Sequence, residues 1–272
     1  EEAAALGHQH AMYMRGRVRL REAETRDGEV LAMSKRLFTG DHPYVASSLN
    51  NLAGVRRALG RAAEAEPLFE QALAMYQRLF TGDHPDVASS LNNLASVREA
   101  LGRAAEAEPL YEQALEMRKR LFTGDHPDVA SSLNNLASAR EDLGRAAEAE
   151  PLYEEALAMF QRVFTGDHPL VAGSLNNLAS VRQDLGRAAE AETLYERALA
   201  MRKRLFTGDH PDVANSLNNL ASVRSALGRA AEAEPLFEQA ADMVERVFGP
   251  DHPHAKLCRA NLALCRAKLG KK

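Results

Sequence analysis

The sequence predicts an all-α fold built as a tandem-repeat solenoid, and three observations predict it. The dipeptide His-Pro recurs at 42–43, 84–85, 126–127, 168–169, 210–211 and 252–253, a constant step of 42 residues. Leu-Gly pairs end at Gly60, Gly102, Gly144, Gly186, Gly228 and Gly270 with the same step. The residues between lean toward Ala, Leu, Glu and Arg, which are strong helix formers. Self-similarity at such a period is the signature of stacked repeats.

Taken in order along one copy, 84–125, the elements read as a helix pair. Asp83 is expected to cap the first helix, and Pro85 fits its first turn, where a missing N–H costs nothing. Asp86 adds a carboxylate beside the positive helix end. Leu91, Leu94, Val97 and Leu101 follow at helical spacing. Gly102 stops this helix, as glycine does by adopting the left-handed conformation. The second helix is expected from about Ala104 to Phe122, with Gly124 ending it and Asp125 capping the next. Pro109 falls inside it, in a column that also holds Pro67, Pro151 and Pro235 but Thr193 in one copy, so the fold does not demand proline there. Ala95, Ala107 and Ala114 let the two backbones approach, and Tyr111 and Leu115 fill the space between copies. One pair cannot bury its apolar faces alone, whereas stacked pairs share a continuous core.

The whole chain, 1–272, is therefore read as one solenoid. Five full 42-residue pairs occupy 43–248. A divergent pair precedes them in 1–42, with its second helix near 19–38. A capping helix follows in 249–272, at about 253–269, where Lys256, Arg259 and Lys268 give it a solubilising character.

Composition bounds the function classes. Of 272 residues, 45% are apolar and 26% charged, which supports a folded chain and argues against disorder. The formal net charge is −4 with the signs mixed, a poor footprint for nucleic acid, which needs clustered Lys and Arg. No apolar run approaches the roughly 20 residues that span a bilayer. The first ten residues are acidic and lack a long apolar core, so they do not read as a secretory signal. The chain does not begin with Met, which leaves open that it is a piece of a longer one. Cys258 and Cys265 lie seven apart on a helical pattern, roughly 10 Å between Cα atoms, too far for a disulfide. A reducing compartment fits, and the expected location is cytoplasmic.

Leu94-Ala95, Gly102, Ala107, Tyr111 and Ala114 resemble the tetratricopeptide signature of a leucine with a small residue, then glycine, alanine, an aromatic and alanine. The 42-residue length, LNNLA, AEPLYEQAL and the GDHP turn resemble the repeats of kinesin light chains and their relatives. The resemblance covers about 43–270 strongly and 1–42 weakly. Two departures stand out. There is no heptad coiled-coil segment, and the tyrosine usual four residues before the glycine is Arg56, Arg98, Arg140, Arg182, Arg224 and Arg266. The resemblance implies a right-handed superhelical α-α solenoid of tetratricopeptide-like helix pairs whose first helices line a concave groove.

Successive helical residues turn by about 100°. With Ser89 as reference, Asn93, Ser96 and Ala100 share its face, while Leu91, Leu94 and Leu101 point to the core. The resemblance then places in the groove Asn51, Asn93, Asn135, Asn177 and Asn219, with Ser89, Ser96, Ser131, Ser138, Ser180, Asn215 and Ser222. An amide can hold a peptide backbone without choosing a sequence. Bonding of these amides to neighbouring helices is the competing reading, and it is preferred for the adjacent column Asn50, Asn92, Asn134, Asn176 and Asn218. Two further columns differ between copies: Arg57, Glu99, Glu141, Gln183, Ser225 and Ala58, Ala100, Asp142, Asp184, Ala226. They give an acidic middle, Glu99 to Asp184, and hence an expected extended partner carrying Lys or Arg. A solvated, drifting surface explains them equally well. Arg98, about 180° from Ser89, needs a partner, and Glu106 and Glu108 on the following helix are expected to supply it.

Enzyme readings fare poorly. The Asp-His pairs at each turn stand one repeat apart, about 10 Å, and zinc ligands must converge to about 2 Å. No nucleophile–base pair and no phosphate-binding glycine pattern occurs. The expected activity is none, with no cofactor or metal. Three classes remain. The first is a scaffold that binds a protein or peptide. The second is a sensor or docking arm of a larger signalling or effector protein. The third is a self-assembling element using open solenoid ends. A monomer, or weak self-association, is expected.

Overall fold

The computed structural model describes residues 2–270, with side chains from Arg19 onward. Among the described residues it has twelve helices and no strand: α1 (Glu2–Leu37), α2 (Pro43–Ala58), α3 (Ala62–Leu79), α4 (Pro85–Ala100), α5 (Ala104–Leu121), α6 (Pro127–Asp142), α7 (Ala146–Val163), α8 (Pro169–Asp184), α9 (Ala188–Leu205), α10 (Pro211–Ala226), α11 (Ala230–Phe248) and α12 (Pro253–Lys268). The chain divides into two compact units, one of Gly16–Met159 and one built on Phe160–Lys272.

The left-handed glycine sets the helix ends. At Gly102, φ is +75°, and a Cβ there would meet nothing within 4 Å, so conformation and not space selects glycine. Arg103 N–H then donates to Arg98 C=O at 2.9 Å and Gly102 N–H to Glu99 C=O at 2.8 Å, pairing two otherwise orphaned carbonyls. Read back by one period, the column of Gly60 holds Val18, a β-branched residue that avoids positive φ. Residues 2–37 accordingly run as one helix, in place of the expected divergent pair with a second helix near 19–38.

The other helix ends correct the expected caps. The N-cap of α4 is His84, not Asp83: its Nδ1 accepts from Asp86 N–H at 3.2 Å. Its ring stacks on Phe80 with centroids 3.5 Å apart, which fixes the imidazole over the helix start. Asp83 instead accepts two bonds from Arg120 at 2.6 and 2.9 Å, joining the entry of α4 to the end of α5. The same arrangement recurs at His168 with Leu170 N–H, and at Asp167 with Arg204.

In the first unit each helix packs on the next. Ala46 and Ala53 of α2 and Ala65 and Ala72 of α3 have no exposed surface, and Phe69, Leu73 and Tyr76 fill the core beside Val87, Leu91 and Leu94 of α4. The expected small contacts Ala95, Ala107 and Ala114 are fully buried, and Tyr111 and Leu115 are buried with them. In the second unit α10, α11 and α12 repeat the scheme through Ala221, Ala233, Phe237, Leu262 and Cys265. On α12, Lys256 and Arg259 occupy columns that are buried Ala214 and Leu217 on α10. Arg259 is held by Asp242 and Glu245 of α11. The helix α12 also exposes Leu257 and Leu264, so it is not polar all round.

The arginine column makes its hydrogen bonds backwards, while the expected pair within one copy is present as a longer ion pair, Arg98 with Glu106 at 4.0 Å and Arg182 with Glu190 at 3.5 Å. Arg98 donates to Glu66 at 3.0 Å and Glu70 at 2.9 Å, both on α3. Glu108 serves the next copy, accepting from Arg140 at 3.0 Å and from Arg145. The second unit repeats this with Arg224 on Glu192 and Glu196. Arg98 leaves α4 on the side of the preceding helix, a direction that no single-helix wheel contains. These pairs therefore join neighbouring copies.

Candidate functional site

The candidate site is the face of the first helices, taken separately in each unit. In the first unit this is α2, α4 and α6. Asn51 is exposed, and Asn93, Asn135, Ser89, Ser96, Ser131 and Ser138 are half-buried. Neighbouring helices already use several of them. Asn135 donates to Asn92 Oδ1 at 2.7 Å, and Ser131 donates to Pro127 C=O of its own helix at 2.8 Å. In the second unit Asn219 donates to Asn176 at 3.0 Å, and Asn261 to Asn218 at 3.0 Å. One amide hydrogen of each of these asparagines is thus committed to an inter-helix ladder, and the adjacent column is the acceptor. Asn177, Ser180, Asn215 and Ser222 of this unit are half-buried.

The column Arg57, Glu99, Glu141 is positioned with more constraint. Arg57 donates to Ser96 of the next first helix. Glu99 accepts from Tyr111 OH at 2.7 Å through one oxygen and from Ser138 Oγ at 2.7 Å through the other. Glu141 accepts from Tyr153 OH at 2.9 Å. Burial, then the bonded carboxylate, pushes the Tyr111 phenol far above its ordinary value, so it remains a donor at every ordinary pH. Asp142, beside Glu141, is exposed. In the second unit Gln183 is half-buried and Asp184 exposed. The face of the first unit thus changes from Arg57 to the carboxylates of Glu99, Glu141 and Asp142.

From the sequence alone Tyr111 has only a space-filling role, whereas the hydroxyls of Tyr111 and Tyr153 both donate to carboxylates of this column. A signal was present. Copies with Glu or Gln at this column carry tyrosine twelve residues on (Tyr111, Tyr153, Tyr195), whereas Arg57 and Ser225 are followed by Phe69 and Phe237. A buried phenol needs an acceptor, and phenylalanine does not. Among the described residues no group of three His, Cys, Asp or Glu side chains is placed to hold a metal ion. No helix among them is long and apolar enough to cross a membrane.

Comparison with known proteins adds to this geometry. The family model described as tetratricopeptide repeat matches residues 1–78, 44–120, 86–162, 128–204, 170–245 and 212–272. The chain is similar to the crystal structure of a putative kinesin light chain from Podospora anserina with nearly identical TPR-like repeats, at 29% identity and a TM-score of 0.64 over 76% of this chain and 98% of that one. It is similar to BtubC (BKLC) from P. vanneervenii, at 28% identity and a TM-score of 0.70 over 86% of this chain and 94% of that one. A Rap protein complexed with competence and sporulation factor shares the fold, at 18% identity and a TM-score of 0.62 over 95% of this chain and 73% of that one. Comparison of the sequence with curated proteins returns no match.

Proposed function

The chain belongs to the tetratricopeptide repeat family, and from that premise we propose that it is a binding scaffold, not a catalyst, whose first-helix faces hold an extended, basic segment of a partner protein. Repeat scaffolds of this family are typical of protein–protein interaction. The observation that carries the finer reading is the carboxylate of Glu99. Tyr111 and Ser138 fix both its oxygens, yet the side chain keeps access to the surface. A carboxylate fixed beforehand meets a Lys or Arg at little ordering cost. Glu141 and Asp142 continue the negative charge one helix further. Asn93 and Asn135 add amides beside the carboxylates that can bond to a passing backbone.

The test is a titration of the full chain with a short synthetic peptide of alternating lysine and threonine. Neutralising Glu141, Asp142 and Asp184 together (Glu141→Gln, Asp142→Asn, Asp184→Asn) should weaken binding. At about 0.5 kcal/mol for each exposed pair, the loss is roughly tenfold at low salt and smaller at high salt. Unchanged affinity in the triple variant discards the basic-segment reading.

A further inference from the structure

On α12 the repeat pattern changes at four positions that share one face. Leu257 stands where the other first helices carry serine, glycine or asparagine. Ala260 replaces asparagine in all five, and Leu264 replaces serine or, at Gly54, glycine. Ala267 replaces Arg57, Glu99, Glu141, Gln183 and Ser225. Four columns that are never apolar side chains elsewhere thus become apolar together. All four residues are exposed, Leu257 at 55% and Leu264 at 65%. Their spacing is three, four and three residues, the seam that a helix presents to another helix. An extended strand, whose side chains alternate with a period of two, has no matching repeat. Beside the seam, Leu264 walls a cavity of about 240 Å³ that reaches Phe237, with Lys268 and Asn261 also lining it.

The charges on α12 itself have one sign. α12 contains no Asp or Glu. Arg259 is occupied by Asp242 and Glu245, and Arg266 by Glu234 and Glu238. Lys256 and Lys268 flank the apolar stripe, Lys256 in an ion pair of 3.4 Å with the exposed Asp251 that precedes the helix and Lys268 donating to Ser225 at 3.0 Å. Two copies of this face laid together would set lysine against lysine.

We propose that the α12 face docks an amphipathic helix of a partner protein, with leucine-type residues at three-four spacing and carboxylates along both flanks. This surface is separate from the carboxylate face of α4 and α6, so either can fail alone. The probe is a synthetic helical peptide with leucine at the seam positions and glutamate on the flanks, titrated by fluorescence anisotropy against the full chain. Two control peptides carry lysine flanks or a central proline. The variant Leu257→Ser with Leu264→Ser restores residues that inner copies already use, and far-UV circular dichroism checks its fold. The glutamate peptide should bind, and the double variant should weaken it more than tenfold while leaving binding of the lysine–threonine peptide unaffected. Lys268→Glu should weaken the glutamate peptide and favour the lysine-flanked one. The proposal is overturned by absent binding to the unmodified chain, by equal binding of either control peptide, or by equal binding to Lys268→Glu. It is equally overturned if the unmodified chain forms a dimer that the serine variant abolishes, because the face then belongs to a second copy.

Discussion

Arg118 shows what near-identical copies cost at a single position. Its column reads Ser34, Tyr76, Arg118, Phe160, Arg202 and Val244, so a guanidinium alternates with apolar and aromatic side chains. Arg118 is only 8% exposed and donates to Ser132 Oγ at 2.7 Å and Asp128 C=O at 3.1 Å, both neutral acceptors. Burial pulls its pKa below the ordinary arginine value. A desolvated charge without a bonded carboxylate recovers little of its hydration. Replacing it with the phenylalanine that this column uses at Phe160 should stabilise the chain by about 1 kcal/mol or more, read as a higher urea midpoint. A lower midpoint would mean that the two neutral bonds outweigh desolvation. The sequence exposed the alternation, but the burial and partners of the arginine come from α5 meeting α6.

At the scale of elements, the helices are bound copy to copy by Arg–Glu clusters. Burial pushes the Glu108 carboxyl up, but the bonds from Arg145 and Arg140 outweigh it and hold the group below the ordinary carboxylate range. The folded value therefore lies under the unfolded one, and the unfolded chain takes the proton first. The stabilisation is present above the unfolded value, near 4.5, and is lost as pH falls through the folded value. Glu108→Gln should cost about 1 kcal/mol near neutral pH and flatten the loss of stability in acid, as read from urea midpoints over a pH series. A variant with the same acid slope as the parent would remove Glu108 from this role. Both the arginine column and its acidic neighbours were legible from the repeat. Their pairing was not, because Arg98 could turn toward α3 or α5, and only helix packing decides. The caps divide in the same way. Aspartate is a good general cap, yet the stacking of His84 on Phe80 puts the imidazole first and frees Asp83 for Arg120.

At the scale of the molecule, constant length makes the interfaces interchangeable. Removing residues 85–126 joins His84 to Pro127 and sets α3 against α6, whose buried residues match those of α4 except that Ala139 stands for Val97. Stability in such arrays is roughly a sum of copy and neighbour terms. The shortened chain should therefore fold, with helix content per residue unchanged and a smaller denaturant slope. Removing only 85–105 should not give a cooperative fold, because it leaves a second helix without its first. Circular dichroism with urea titration compares the two; equal folding of both deletions would defeat the modular account.

By itself the sequence determined the helix pairs, their period, the core columns and which residues share the first-helix face. Those follow from local rules: glycine at positive φ, proline in a first turn, and apolar spacing near 3.6 residues. Tertiary structure alone decided which neighbour each polar group serves. It tied Asn135 to Asn92, fixed Glu99 with Tyr111 and Ser138, and turned Arg98 toward the preceding copy. The physical reason is that a buried polar group must find a partner across a helix interface, and a one-dimensional period sets the face of a side chain without setting which of two flanking helices it meets.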